Sequence, residues 1–301
     1  MTELERRYGR LLRLYPPAYR RARGAEMLAV LMDSAAPGRR RPPWREVRGL
    51  VLGALRARAG ADDRRTAGQS WRVALRIAAL MLLIQHAGDA LWQLLYNPDG
   101  LGVPVALSTV NLAVAAACVL AIVAIFRGLP LVAAVLTAGA FVLETVSPQI
   151  VASFSAPPYS SLGLSSGGLP LVVVLLIPLI GRGPVAVPKK LNLMLLIPVA
   201  SVALDAYGTL TRTPSFQTGG RAVWQAFAVA AILWSVIDER VAMTSGLAFF
   251  SVVVNRATAD LPIRGDWPQW HWTLIDMGIL AILPVLDIAV GATVTARRAR
   301  I

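Results

Sequence analysis

Cysteine, histidine and lysine are nearly missing from this chain: it has one cysteine and two histidines, and Lys189 and Lys190 are its only lysines. A lone Cys118 cannot close an intrachain disulfide, so cysteine usage is silent about the redox compartment. Neither a His-x-x-x-His pair nor a Cys pair is present, and His86 and His271 alone are a poor basis for zinc. Hydrolase and ATPase chemistry lose their usual support, because no Gly-x-Ser-x-Gly or P-loop pattern occurs. The Leu204-Asp205-Ala206-Tyr207-Gly208 run lacks the setting of an intramembrane aspartyl protease. No catalytic residue, cofactor or metal centre is expected. A secretory signal pattern is also missing, so membrane entry is expected from the first internal span.

Charge is scarce in most of the chain. Residues 71–301 hold fourteen Lys/Arg and ten Asp/Glu, whereas residues 1–70 hold sixteen Arg against seven acids, a net of +9. Two regions therefore suit two solvents. Residues 1–66 form a basic head and residues 67–301 an oily body, with Gly60 to Ser70 as the linker. The whole chain is 56% hydrophobic with mean hydropathy +0.59. A helix needs roughly 18 or more apolar residues to cross a hydrocarbon core of about 30 Å. The expected fold is all-α, a polytopic transmembrane bundle of about eight spans with a small cytosolic three-helix domain before it.

Helical spacing of Leu4, Tyr8, Leu11, Leu12 and Tyr15 predicts an amphipathic first helix, stopped at Pro16-Pro17. Tyr19, Ala22, Leu28, Leu31, Met32 and Ala35 mark a second, ending near Pro37-Gly38. A third runs from about Pro43 to Ala59, striped by Trp44, Val47, Val51, Ala54 and Leu55. Tyr8, Leu12, Trp44 and Val47 are the expected partner-contact or core face. Arg39, Arg40 and Arg41 are expected to lie on anionic lipid, where each basic residue contributes about 1 kcal/mol. A direct nucleic-acid contact is not expected, since the aromatics fall on the apolar stripes and no recognition helix is evident.

The eight spans are placed at about 72–96, 104–126, 129–154, 164–181, 191–211, 220–237, 241–258 and 270–294. With the N-terminus inside, Arg127, Arg182, Lys189, Lys190, Arg240, Arg297, Arg298 and Arg300 fall on the inner side. Arg212, Arg221, Arg256 and Arg264 fall outside. The inside excess predicts eight crossings of the bacterial cytoplasmic membrane with both termini cytoplasmic. Trp92, Tyr96, Tyr159, Trp267, Trp270 and Trp272 fall near the outer interface as an aromatic belt. Pro170, Pro178, Pro198 and Pro284 sit inside spans, and no internal repeat supports an inverted-repeat transporter.

Ionisable groups at membrane depth are functional-site candidates because they are costly there. At a rise of 1.5 Å per residue, Asp89, Glu144, Asp205 and Asp276 all fall roughly 21–25 Å above the inner ends of their spans. His86 lies one turn below Asp89 on the same face. His86, Asp89, Glu144, Asp205 and Asp276 are therefore the candidate ligand site: an outward-facing acidic cavity for a cation, a metal or a cationic small molecule. Separate polar anchors are the plainer alternative. Asp287, deeper and just past Pro284, reads as a helix-packing hydrogen bonder.

The opening region also carries a resemblance. The Leu14-Tyr15-Pro16-x-x-Tyr19-Arg20 turn, Glu26-Met27-Leu28, the Pro37-Gly38-Arg39 break and Leu55-Arg56-Ala57-Arg58 make residues 4–58 similar to the HAAS-type helical domain. That domain, also called a permease prefix domain, precedes many actinobacterial multispan proteins. The resemblance covers under a fifth of the chain and implies a signalling or regulator-sequestering role with a PadR-type transcriptional regulator as partner. It implies no catalytic residue. The function expected is a membrane sensor or regulatory protein whose head contacts a cytosolic regulator. A transporter or permease component using the acidic cavity is the alternative.

Overall fold

The computed structural model describes residues 2–36, 38–59, 66–95, 105–154, 168–183, 187–188, 190–211, 219–260 and 267–298; in parts of several helices only the backbone is described. Among the described residues the regular structure is all helical, with no strand. The first three helices are α1 (Glu3–Leu12), α2 (Pro17–Asp33) and α3 (Trp44–Ala59). They are followed by α4 (Ala67–Leu95), α5 (Val105–Phe126), α6 (Pro130–Phe154) and α7 (Gly168–Leu176). Then come α8 (Leu196–Leu210), α9 (Gly219–Trp234), α10 (Glu239–Asp260) and α11 (Trp267–Arg298). Short 3₁₀ turns at Ile177–Leu179 and Leu191–Leu195 extend the end of α7 and the start of α8.

Local chemistry sets these boundaries. Thr2 caps α1 through a capping box: its hydroxyl accepts from the Glu5 amide, and the Glu5 carboxylate accepts from the Thr2 amide. Pro17 opens α2 at a position whose amide would have no helical partner anyway. The α5–α6 turn is a Schellman motif at Gly128, whose φ of 76° favours glycine. There the Leu129 amide donates to the Ala124 carbonyl (2.8 Å) and the Gly128 amide to the Ile125 carbonyl (3.1 Å). Of the four prolines expected within spans, three lie at helix ends or in 3₁₀ turns; Pro284 alone lies inside a helix. Pro178 lacks an amide to donate, and the last turn of α7 tightens to 3₁₀ around it.

α1, α2 and α3 enclose their own apolar cluster, formed by Leu4, Tyr8, Leu12, Tyr15, Leu50 and Ala54 with half-buried residues of α2 beside it. The Tyr8 hydroxyl donates to the Glu46 carboxylate and ties α1 to α3. Tyr15 stacks on Tyr19 with ring centroids 5.1 Å apart. Tyr8 and Leu12 thus serve the internal core, which removes them from any partner-contact face. Trp44 is 75% exposed, and Val47 is half-buried. Apolar periodicity alone could not divide these four between core and surface.

The larger bundle is organised around α4, which touches α5, α7, α8, α10 and α11. Seven consecutive residues, Ile77 to Leu83, are each at most 2% exposed. A helix buried on every face must be surrounded by other helices rather than lie on a surface. The opposite pattern occurs at the periphery. Leu120, Phe126, Leu131, Val135, Leu233 and Val285 are all at least 48% exposed, on α5, α6, α9 and α11. Apolar exposure on this scale marks a surface for lipid or another protein rather than water. Among the described residues, Ala67–Leu94, Thr109–Phe126 and Leu191–Gly208 are long and apolar enough to cross a membrane. By length and composition the chain is a helical membrane protein.

α10 departs from a plain apolar span. It begins at Glu239, two residues before the expected segment, and buries Glu239, Arg240, Thr244 and Ser245. It packs closely on α11 through glycines: a Cβ on Gly246 would lie 2.7 Å from the Pro284 carbonyl oxygen and 2.7 Å from Ile288 Cγ1. Small residues let helices approach where lipid offers no hydrophobic driving force for association. Asp287 is fully buried in this contact, where the Ser245 side chain acts on its carboxyl.

Gly246→Ala should lower the unfolding free energy in detergent by about 1–3 kcal/mol, the usual penalty for overpacking. Gly139→Ala, where a Cβ meets nothing within 4 Å, should leave it unchanged or slightly raised. Equal thermal shifts in the two variants would contradict the close α10–α11 approach. Burial, then the Glu46 carboxylate, push the Tyr8 phenol up to about 12. Its contribution to the stability of α1–α3 is thus intact below pH of about 10 and lost as pH rises to about 12. The tyrosinate absorbance step assigned by Tyr8→Phe should lie near that upper value; a step at the ordinary tyrosine position would contradict the tie.

Candidate functional site

The helices bring four of the five sequence-predicted ligand residues together. On α4, Gln85 Nε2 donates to Asp89 Oδ1 at 3.0 Å, one turn apart. His86 Nδ1 lies 2.9 Å from the Leu82 carbonyl oxygen, so the imidazole is anchored to its own helix. The His86 ring also packs directly on Gly168 at the start of α7, where any Cβ would overlap it. Gly88 lets α8 approach α4: a Cβ there would sit 2.8 Å from Val202 Cγ2. Asp205 follows Val202 by three residues, which carries its carboxylate toward the same end of α4.

Asp89 lies within electrostatic reach of His86, Asp205 and Glu144, and Glu144 also acts on Cys118 of α5. Asp89, Glu144 and Asp205 are half-buried, whereas His86 is 8% exposed. The result is a patch of three carboxyl groups from α4, α6 and α8 with one imidazole at its edge. Asp276 belongs to α11 by its backbone, but its side chain lies outside the described residues. The same holds for His271 and for the Trp267, Trp270 and Trp272 side chains; Tyr96 and Tyr159 also lie outside. Trp92 is half-buried near the end of α4.

Among the described residues, no three His, Cys, Asp or Glu side chains converge as metal ligands. The carboxyl groups act on each other through space without forming a coordination shell.

A second polar cluster lies at the other end of α4 and was not legible as a unit. Asp238 and Arg240, each 2% exposed, form a bidentate pair: Arg240 Nε to Asp238 Oδ1 at 2.7 Å and Nη2 to Oδ2 at 2.6 Å. The Arg240 amide also donates to Asp238 Oδ1 at 3.1 Å, closing the turn into α10. Ser70 Oγ on α4 lies 3.5 Å from Glu239 Oε1. Helix α3 docks here, with Arg56 Nε donating to the Val236 carbonyl at 3.0 Å. Lys190 Nζ donates to the Arg58 carbonyl. The signal in the sequence is the Asp238-Glu239-Arg240 run inside an otherwise apolar stretch. Loop-charge counting treated Arg240 only as a marker of sidedness.

Arg39, Arg40 and Arg41 are exposed between α2 and α3. Their placement leaves them available to a surface, and Arg39 lies near enough to Tyr8 to act on its phenol. Comparison with protein-family models, curated proteins and solved structures finds no match to this chain. The geometry must therefore carry the functional reading.

Arg240→Ala should lower stability by about 3–5 kcal/mol, because it leaves the Asp238 carboxylate buried without its ion partner. The double variant Asp238→Asn/Arg240→Gln should lose clearly less than the sum of its two single variants. Additive losses on thermal unfolding in detergent would contradict a coupled pair.

Proposed function

We propose that this chain is a multi-pass sensor or regulatory protein of the bacterial cytoplasmic membrane. In this reading the eight apolar segments cross the bilayer and both termini are cytoplasmic. The acidic patch of His86, Asp89, Glu144 and Asp205 receives a cationic small molecule from the outer side, with Asp276 as a further contributor. Helices α1–α3 form the cytosolic head, and exposed Trp44 on α3 contacts a cytosolic regulator. The resemblance of residues 4–58 to HAAS-type domains makes a PadR-type regulator the expected partner. Arg39, Arg40 and Arg41 hold the head near anionic headgroups.

The observation that best supports this reading is the shared use of α4. It carries Asp89 near one end and Ser70 at the other, where α3 docks through Arg56 and Val236. An event at the patch therefore has a continuous helix, buried on every face from Ile77 to Leu83, between it and the head. No catalytic machinery is part of this reading.

A second reading, transport, is favoured by one observation: the acidic patch draws its carboxyl groups from three different helices, as a substrate site between moving helices would. The test is a photo-reactive residue at position 44 of the full-length protein in cells. Sensing predicts a cross-link to a cytosolic protein whose yield changes by about threefold or more in Asp89→Asn, Glu144→Gln or Asp205→Asn. An absent cross-link, together with loss of cation uptake or efflux in the same variants, would overturn sensing in favour of transport.

A further inference from the structure

Three arginines converge on a cleft that neither the acidic patch nor the head joint uses. Arg72 and Arg76 come from the first turns of α4, and Arg182 from the turn after α7. The rest of the lining is largely apolar, including Ile125, Pro130, Leu176 and Leu179. Arg76 and Arg182 are fixed in place at helix ends. Arg76 Nη2 donates to the Ile125 carbonyl at 3.0 Å, at the Schellman turn of α5, and Arg182 donates to the Pro178 carbonyl.

Balancing helix ends is the plainer role for these cations, and magnitudes decide against it as the whole account. The C-terminal ends of α5 and α7 each contribute about −0.5 charge, while the N-terminus of α6, opening at Pro130 on the wall, returns about +0.5. Three guanidiniums supply +3, so the cleft keeps a surplus of about +2 to +3. Its lining includes no carboxylate among the described residues. Guanidinium also matches the geometry of phosphate oxygens better than any other side chain.

The surroundings select a lipid over a soluble phosphate. Phe126, Leu129, Leu131 and Ile177, neighbours in sequence of the lining residues, are all more than half exposed. An acyl chain can lie along these side chains while its phosphate sits among the arginines. Basic pockets between transmembrane helices hold anionic headgroups in this manner. We propose that the Arg72–Arg76–Arg182 cleft is a specific binding site for the phosphate headgroup of an anionic phospholipid.

The test uses the full-length protein purified in detergent and titrated with phosphatidylglycerol or phosphatidylcholine, with retained lipid read by native mass spectrometry. The wild type should retain phosphatidylglycerol about 100-fold more tightly than phosphatidylcholine, at about fivefold for each of three arginines. Arg182→Gln, an exposed position, should weaken that preference by about fivefold, and Arg72→Gln/Arg182→Gln by about 25-fold, at about 1 kcal/mol per arginine. Arg127→Gln, an exposed arginine beside the cleft but not in its lining, should change it by less than twofold. Equal retention of the two lipids by the wild type would overturn the site. So would equal losses in Arg127→Gln and Arg182→Gln, which would indicate a general surface charge effect. Displacement of phosphatidylglycerol by millimolar glycerol phosphate would overturn the choice of lipid and assign the cleft to a soluble phosphate. None of these outcomes depends on the head partner or the acidic patch.

Discussion

The complete burial of the middle of α4, from Ile77 to Leu83, is the constraint on which the other parts depend. In a low-dielectric bundle the gain from bringing helices together is close packing, since lipid is as apolar as the side chains it would replace. Seven successive α4 residues buried on every face require neighbours all around. Those neighbours are in place because small residues allow them: Gly88 admits α8, and Gly168 receives the His86 ring from α4. At about 1.5 Å per residue, Arg76 and Asp89 are separated by roughly 20 Å along one rigid helix. A positive cleft and a negative patch are thereby set at opposite ends of a single element.

Several polar groups buried in this bundle pair with one another. Asp238 and Arg240 satisfy each other at the turn into α10, beside Ser70 and Glu239. Taking such a pair out of water is expensive, so its value lies in specifying one geometry rather than in net stability. That geometry positions the Val236 carbonyl that receives Arg56 from α3. Asp287 is a fully buried carboxyl at the α10–α11 contact, beside Ser245.

Much of the helical layout was readable from apolar period and proline placement. The three amphipathic stripes of residues 4–59 match α1, α2 and α3 to within about four residues at each end, because Pro16-Pro17 and the break at Gly38 act locally. Crossing a membrane is a stronger statement than being helical, and length and composition support it for three helices among the described residues. Depth arithmetic put Asp89, Glu144 and Asp205 at a similar height, since each acid is isolated in an apolar helix. What sequence could not supply was which helices touch. The arginine cleft joins residues more than a hundred positions apart, and the contact of Arg56 with the Val236 carbonyl joins residues 180 positions apart. The split of Tyr8 and Leu12 from Trp44 likewise needed the packing of α1 on α3, since all four lie on apolar stripes.

The proposed orientation, basic end of α4 inside and acidic end outside, is tested most directly by side-specific labelling. In a Cys118→Ala background, single cysteines replace Trp44 on α3 and Asn97 just beyond α4, and intact cells are treated with a membrane-impermeant thiol reagent. The orientation predicts that position 97 reacts in intact cells and position 44 reacts only after the membrane is permeabilised. Labelling of position 44 from outside, or equal labelling of both positions, would contradict it.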